Sequence, residues 1–255
     1  MKVLFTSDLH GLTKAYQRFT ELLRGTDFDI GIISGDLSTG TTPNEMDILI
    51  EKHRDANDEI LEELHSPSDQ PIVIPNKLLA EANREKELEF KAILQTANKP
   101  VFFLMGNDDG LVGGEWNSID QLQNINQRRI DIGAYNFVGY QYTNPFVGGP
   151  FEKTESNQKK DLRRLLKITD TNSILITHGP AYGEIKIASS GAASIQSIGS
   201  ISLQWFIKKA RPKYHLFGHV HYFFGIHGKS INGAYPRFKK FISIDLSSGK
   251  CGFIE

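Results

Sequence analysis

Asp8-Leu9-His10, Gly35-Asp36, Gly106-Asn107-Asp108-Asp109, His178-Gly179 and Gly218-His219-Val220-His221 supply the carboxylate, amide and imidazole groups that divalent cations bind. None of the five clusters contains a thiolate. That donor set suits Mn, Fe, Co, Ni or Zn and does not choose among them. Two cations a few ångströms apart also need one carboxylate able to bridge them. Asp8 and His10 are two residues apart, as are His219 and His221, so in an extended segment each pair would leave on one side. Glycines 11, 35, 106, 179 and 218 flank these groups, where backbone must bend sharply or come close to a ligand.

Taken singly, most clusters have a plainer reading. Asp8, Gly35-Asp36 and Gly106-Asn107-Asp108-Asp109 are also good turn chemistry, and His178-Gly179-Pro180 reads equally as a loop. Gly218-His219-Val220-His221 is the strongest single metal signal. What joins them is position. Each follows a strand-like apolar run: Val3-Leu4-Phe5, Ile30-Gly31-Ile32-Ile33, Val101-Phe102-Phe103-Leu104-Met105, Ile174-Leu175-Ile176 and Tyr214-His215-Leu216-Phe217. Binding groups in open α/β sheets gather at the carboxyl ends of strands. One shared site is the economical reading.

The elements that must hold this site alternate in type, with more strand in the second half. Strands are expected at 2–7, 29–34 and 100–105. A helix over 13–24 places Ala15, Phe19, Leu22 and Leu23 on one face, with Thr13 as its cap. Residues 45–69 hold nine acidic and two basic residues. Met46, Leu49, Ile50, Ile60 and Leu64 nevertheless recur there at helical spacing, which predicts an acidic amphipathic helix in an insertion at about 44–75. That insertion is expected to act as a lid or to contact a second copy of the chain, ahead of a purely local packing role. A further helix at 77–97 buries Leu79, Ala82, Phe90, Ile93 and Ala97. Later come short strands at 134–140 and 146–148, a basic helix at 157–168, a strand at 173–177, a helix at 200–210 and a strand at 213–218. Residues 186–200 are small, polar and punctuated by glycine, and read as a mobile loop. Segments 239–246 and 250–254 read as a terminal hairpin.

Bulk properties are ordinary. The 255 residues carry a formal net charge of −1, with 39% hydrophobic and 23% charged residues. One domain spanning 1–255 with a sizeable core fits that length. A near-neutral chain gives no electrostatic reason to bind long nucleic acid or an anionic membrane. Cys251 is the single cysteine, so no internal disulfide can form, and no apolar run is long enough to span a bilayer. A cytoplasmic protein is the expectation. His53 and His65 read as helix residues, His215 as packed, and His227 as packed or exposed. Lys159, Lys160, Arg163 and Arg164 read as a solvated helix face, and Trp116 and Trp205 as packing residues.

In order and spacing, the clusters resemble the motifs of calcineurin-like metallophosphoesterases: D-x-H, G-D, G-N-H-D/E, a histidine before a small residue, and G-H-x-H. The match runs from Asp8 to His221. Thr177-His178-Gly179-Pro180-Ala181-Tyr182 resembles small prokaryotic phosphoesterases related to cyclic-nucleotide phosphodiesterases. The resemblance implies an α/β fold, a four-layer αββα sandwich. It also implies two divalent metal ions, with manganese expected ahead of Fe, Ni, Co or Zn. One ion would take Asp8, His10, Asp36 and His221, the other Asp36, Asn107, His178 and His219, with Asp36 bridging. The implied activity is two-metal hydrolysis of a small phosphodiester. The alternatives are a phosphomonoesterase or nucleotidase, or a non-catalytic scaffold that keeps the fold.

Asp36, Asn107, Asp108 and Asp109 are the residues this resemblance sets at the reaction centre. One departure stands out. Asp108 occupies the place where the family pattern has histidine, which assists the leaving group or binds a phosphoryl oxygen. An ionised aspartate would repel such oxygens. The other reading makes Asp108 a turn residue and has Asp109 orient the loop.

Overall fold

Continuous apolar runs give the central strands two buried faces, and the chain stacks them in layers. A computed structural model describes residues 1–25, 27–38, 76–109, 119, 121–145, 149–188 and 195–255. Its elements are β1 (Lys2–Thr6), α1 (Thr13–Gly25), β2 (Ile30–Ser34), α2 (Asn76–Gln95), β3 (Val101–Leu104), β4 (Leu122–Asn124), β5 (Arg129–Ile132), β6 (Tyr135–Tyr140), α3 (Glu155–Leu165), β7 (Ser173–Thr177), β8 (Ile185–Ala188), β9 (Ile195–Ile198), α4 (Ile201–Ala210), β10 (Tyr214–Phe217), β11 (Gly225–His227), β12 (Ser230–Asn232), β13 (Phe241–Asp245) and β14 (Cys251–Ile254).

One sheet runs β14-β13-β1-β2-β3-β4 and the other β11-β12-β10-β7-β6-β5. In the first, β1 to β4 are parallel, and β13 and β14 continue antiparallel. In the second, β12, β10, β7 and β6 are parallel, with antiparallel β11 and β5 at the edges. Val3, Phe5, Ile32, Phe102 and Leu104 point between the sheets, where they meet Phe137, Ile174, Ile176 and Leu216. Their neighbours Leu4, Ile33 and Phe103 face the other way and pack with Tyr16, Phe19 and Leu23 of α1 and with Phe90 and Leu94 of α2. Val138, Tyr140 and Leu175 do the same for α3 and α4 through Leu162, Leu203 and Phe206. Parallel strands covered on both faces explain why the runs read as continuously apolar. The result is the expected αββα sandwich.

α1 buries Ala15, Tyr16, Phe19, Leu22 and Leu23, a stripe with helical spacing. Thr13 is its first residue. The Tyr16 ring stacks on Phe90 at 4.3 Å, which ties α1 to α2. α4 starts at a Ser200 cap, whose hydroxyl accepts from Leu203 N, and ends at left-handed Arg211. α3 begins at Glu155, two residues before its expected start, and gives way after Leu165 to a 3-10 turn at Leu166–Ile168.

Several expectations need correction. Residues 186–200 do not form a mobile loop throughout, because β8 and β9 pair antiparallel from Ile185↔Ile198 to Ala188↔Ile195. Ile185 and Ile187 alternate as a strand requires, but Ile195 and Ile198 are three residues apart, and the small residues between the two strands mask the pattern. Four strands, β4, β5, β11 and β12, escape the sequence reading, since three to four residues give too few turns of the period to register. The expected insertion at 44–75, the strand at 146–148, and Trp116, His53 and His65 lie outside the described residues, as do the side chains of Leu79 and Ala82.

Candidate metal centre

All five clusters lie at the carboxyl ends of β1, β2, β3, β7 and β10, where the edges of the two sheets meet. The loop after β1 runs alongside the loop after β2: Asp8 N, His10 N and Gly11 N donate to Gly35 O, Asp36 O and Leu37 O, each at 2.9 Å. The second sheet is tied to the first at the same place. His219 N donates to Asp8 Oδ2 at 2.9 Å, and His178 Nδ1 donates to Ser34 O at 2.9 Å.

The pairs Asp8/His10 and His219/His221 do not converge through extended backbone. Asp8, His10, Asp36 and His219 all have positive φ, at 57°, 43°, 48° and 65°. Side chains with a Cβ avoid this left-handed region, so four of the site residues sit in unfavourable conformations held by the hydrogen bonds above. Strain of this kind is concentrated at functional sites. Gly106 and Gly218 serve close approach: a Cβ at Gly106 would collide with the Asp36 carboxylate, and one at Gly218 with that of Asp8.

The donor atoms fall into two sets that meet at Asp36. Asp8, His10 and His221 form one group, and Asp36, His178 and His219 another, each with its donor atoms mutually within 4.8 Å. In the first, His10 Nε2 lies 3.1 Å from His221 Nε2, and His221 Nε2 lies 3.3 Å from Asp8 Oδ1. In the second, His178 Nε2 lies 3.3 Å from Asp36 Oδ1 and 3.0 Å from Asn107 Oδ1. Two donors bound to one ion at about 2.1 Å stand roughly 3.0–3.4 Å apart in octahedral or tetrahedral geometry. The residues therefore fit divalent cations, both in chemistry and in spacing.

Electrostatics agree. Asp8 and Asp36 are almost fully buried, and among the described residues their ion pairs are with histidines and not with lysine or arginine. Buried charge needs a counter-charge. Burial alone would push the Asp8 carboxyl up. The hydrogen bond with His221 and the charges of His178, His10 and His221 hold it well below the carboxylate range. Burial works against a charged His178, yet Asp36 and Asp8 drive it up to about 10. His219 goes the other way, to about 4, through its burial and the charge of His178. The pocket thus attracts positive charge, and His178, whose Nδ1 is already committed to Ser34 O, aims Nε2 at it.

Asp108 and Asp109 have different surroundings. Asp109 is fully buried. Its carboxylate accepts from Leu37 N at 3.1 Å, Ser38 N at 2.9 Å, Ser38 Oγ at 3.2 Å and Gly106 N at 2.8 Å. Burial and the Asp36 charge push it up to about 7, against those backbone hydrogen bonds. The geometry makes it the clasp between the loops after β2 and β3. Asp108 is a third exposed, lies 3.8 Å from His10 Nδ1 and accepts from Asn107 Nδ2 at 2.6 Å. Burial and Asp36 push its carboxyl upward.

Residues not singled out beforehand hold this frame. Tyr16 donates to Leu37 O at 2.7 Å, carrying the core of α1 into the loop after Asp36. Next to His178 begins a chain that is buried at Thr177 and His215 and partly buried at Glu184 and Ser230. Ser230 donates to Glu184 at 2.6 Å, Glu184 lies 2.8 Å from His215 Nδ1, and His215 Nε2 lies 2.8 Å from Thr177 Oγ1, which donates to Gly179 O at 2.6 Å. His215 is packed as expected, but its ring is also a link. No sequence signal marked Glu184, which sits between two loop-like stretches. Thr177→Val should lower folding stability by about 1–3 kcal/mol, because it strands two buried polar groups, while Thr177→Ser should not. Urea denaturation of the two variants checks this.

Among known proteins, the model of the calcineurin-like phosphoesterase family matches residues 1–223, from β1 to just past His221. The chain belongs to the calcineurin-like phosphoesterase family. UPF0046 protein K07C11.7 of Caenorhabditis elegans is 26% identical over 180 residues, 69% of this chain and 56% of its own length. The chain therefore spans little more than half of that relative. TT1561 of Thermus thermophilus superimposes with a TM-score of 0.61 at 15% identity, over 100% of this chain and 98% of its own. Another crystal structure gives a TM-score of 0.65 at 16% identity, over 100% and 98%. At such identities these two structures show the calcineurin-like phosphoesterase fold and no more. No helix among the described residues is long and apolar enough to cross a membrane.

Proposed function

We propose that the chain is a two-metal phosphoesterase that hydrolyses a small phosphodiester. The observation that carries this reading is the placement of Asp36. Its Oδ1 faces His178 at 3.3 Å and its Oδ2 faces His10 at 3.8 Å, so one carboxylate reaches both donor sets. Asp8, His10 and His221 would hold one divalent ion with Asp36. Asn107, His178 and His219 would hold the other. When bound, the ions would supply the charge that lowers the pKa of a water and offsets charge on the phosphoryl oxygens. Manganese remains the expected metal.

The chain's own residues favour a diester. Asp108 sets a carboxylate at the rim of the site, and no lysine or arginine pairs with it among the described residues. A phosphomonoester near neutral pH carries about −1.5 to −2 of charge, whereas a diester carries a single one. Repulsion by Asp108 therefore weighs more heavily on the monoester.

Metal analysis of the purified protein, with mono- and diesters assayed in Mn, Ni and Zn, tests the reading. Metal-dependent diester hydrolysis is the expected result. A protein that binds no metal and cleaves no phosphoester would leave the scaffold alternative. Within the reading, His219→Ala and His221→Ala should each lose a different ion. Metal content per chain should fall to about half in each variant and lower still in the double variant.

A further inference from the structure

A cleft of about 230 Å³ lies beside His219. Tyr142, Pro145, Pro180, Ile198, Leu203 and Val220 form half of its lining, and none of them carries a charge. Two polar side chains of the lining, Asn144 and Ser200, are already engaged. Asn144 donates to Glu155 at 3.1 Å and accepts from Gln158 at 2.5 Å. Ser200 donates to Glu155 at 3.2 Å and accepts from Leu203 N at 3.1 Å. The Thr143 hydroxyl is buried, with no hydrogen-bond partner among the described residues, and is the one further hydroxyl there beside that of Tyr142. The cleft thus presents apolar surface and few free donors for a phosphate or a sugar hydroxyl.

Size narrows the occupant further. An apolar cavity of about 150 Å³ takes up benzene, so this cleft holds one aromatic ring or a fused pair. His219 belongs both to the lining and to the donor set around Asp36, so cleft and metal centre are continuous at that residue. We infer that the cleft is a subsite for one planar, uncharged ring carried by the phosphoester substrate, and that it sets preference among esters. The inference rests on the phosphoesterase reading above.

Phenylphosphonate and methylphosphonate test it, because they share a phosphoryl group and only one carries a ring. Titration calorimetry with the metal-loaded protein should show phenylphosphonate bound at least about tenfold tighter, as burial of one ring allows. Ile198→Trp fills the cleft and should bring the ratio of the two affinities close to unity. Tyr142→Ala removes one wall and should also lower the ratio, which keeps the test open if the larger side chain disturbs folding. In turnover, both variants should raise KM for a diaryl phosphate relative to dimethyl phosphate. Equal affinities for the wild-type protein, or a phenyl advantage that survives both variants, would overturn the ring subsite alone. If neither phosphonate binds and no ester is cleaved with metal present, the phosphoesterase reading falls, and the subsite with it.

Discussion

Asp36→Asn should lower kcat/KM on a diaryl phosphate by well over a hundredfold and reduce the content of both metals together. Asparagine keeps the shape of the side chain but replaces one oxygen with an NH2 group that has no lone pair to offer, and it removes the charge. In this site the change strikes both donor sets, because the two oxygens face His178 and His10 separately. Loss of even an outer-shell partner of a metal ligand costs about 10–100-fold, so loss of a shared ligand must cost more. The fold should survive, since Asp109 and not Asp36 carries the clasp to Leu37 and Ser38. The test is activity after chelation and metal return, with metal content and circular dichroism recorded on the same samples. Wild-type turnover by Asp36→Asn would show that the shared-ligand assignment is wrong.

Asp108→His should speed cleavage of alkyl esters relative to aryl esters. Departure of an alkoxide needs a proton or strong charge stabilisation, and a positioned general acid is worth about 10²–10⁴ in rate. Histidine can carry such a proton near neutral pH, with an unperturbed pKa of about 6.5, whereas an ionised aspartate has none to give. Asp108 stands within reach of the site, 3.8 Å from His10, and is partly open to solvent. The wild-type chain should therefore cleave diaryl phosphates efficiently and dialkyl phosphates poorly, and the variant should narrow that gap by one to several powers of ten. Equal wild-type rates on the two classes, with chemistry rate-limiting, would mean that another group in the site supplies the proton.

Much of the site was legible because five polar clusters each follow an apolar, strand-like run. Asp8, His10, Asp36, Asn107, His178, His219 and His221 came from type and position, and the structure brings them together. The reason given for their convergence was not right. Residues two apart would share a side in extended backbone, but Asp8, His10 and His219 converge from left-handed conformations, which spacing alone does not reveal. The sandwich was legible through the resemblance that the motifs carry, while Val3 to Phe5 and Val101 to Leu104, apolar on both faces, marked the strands themselves. The ribbon at β8 and β9 was not, since its strands are four residues each and the segment between them is small and polar. Glu184 and Tyr16 escaped notice for another reason. Each acts through a contact with residues at least 21 positions away in sequence, and no local pattern records such a partner.

The pairing of β1 with β13, from Lys2↔Asp245 to Phe5↔Ile242, has a consequence for how the chain is made. The strand that leads into Asp8 and His10 emerges some 240 residues before one of its two neighbours. Until then, Val3, Leu4 and Phe5 belong to a sheet with an open apolar edge, the kind of edge on which chains associate. Pairings so distant along the chain also close slowly, because a long loop must be ordered before any contact rewards it. The first sheet is therefore completed only when β13 joins it, and until then folding depends on protection of that edge of β1.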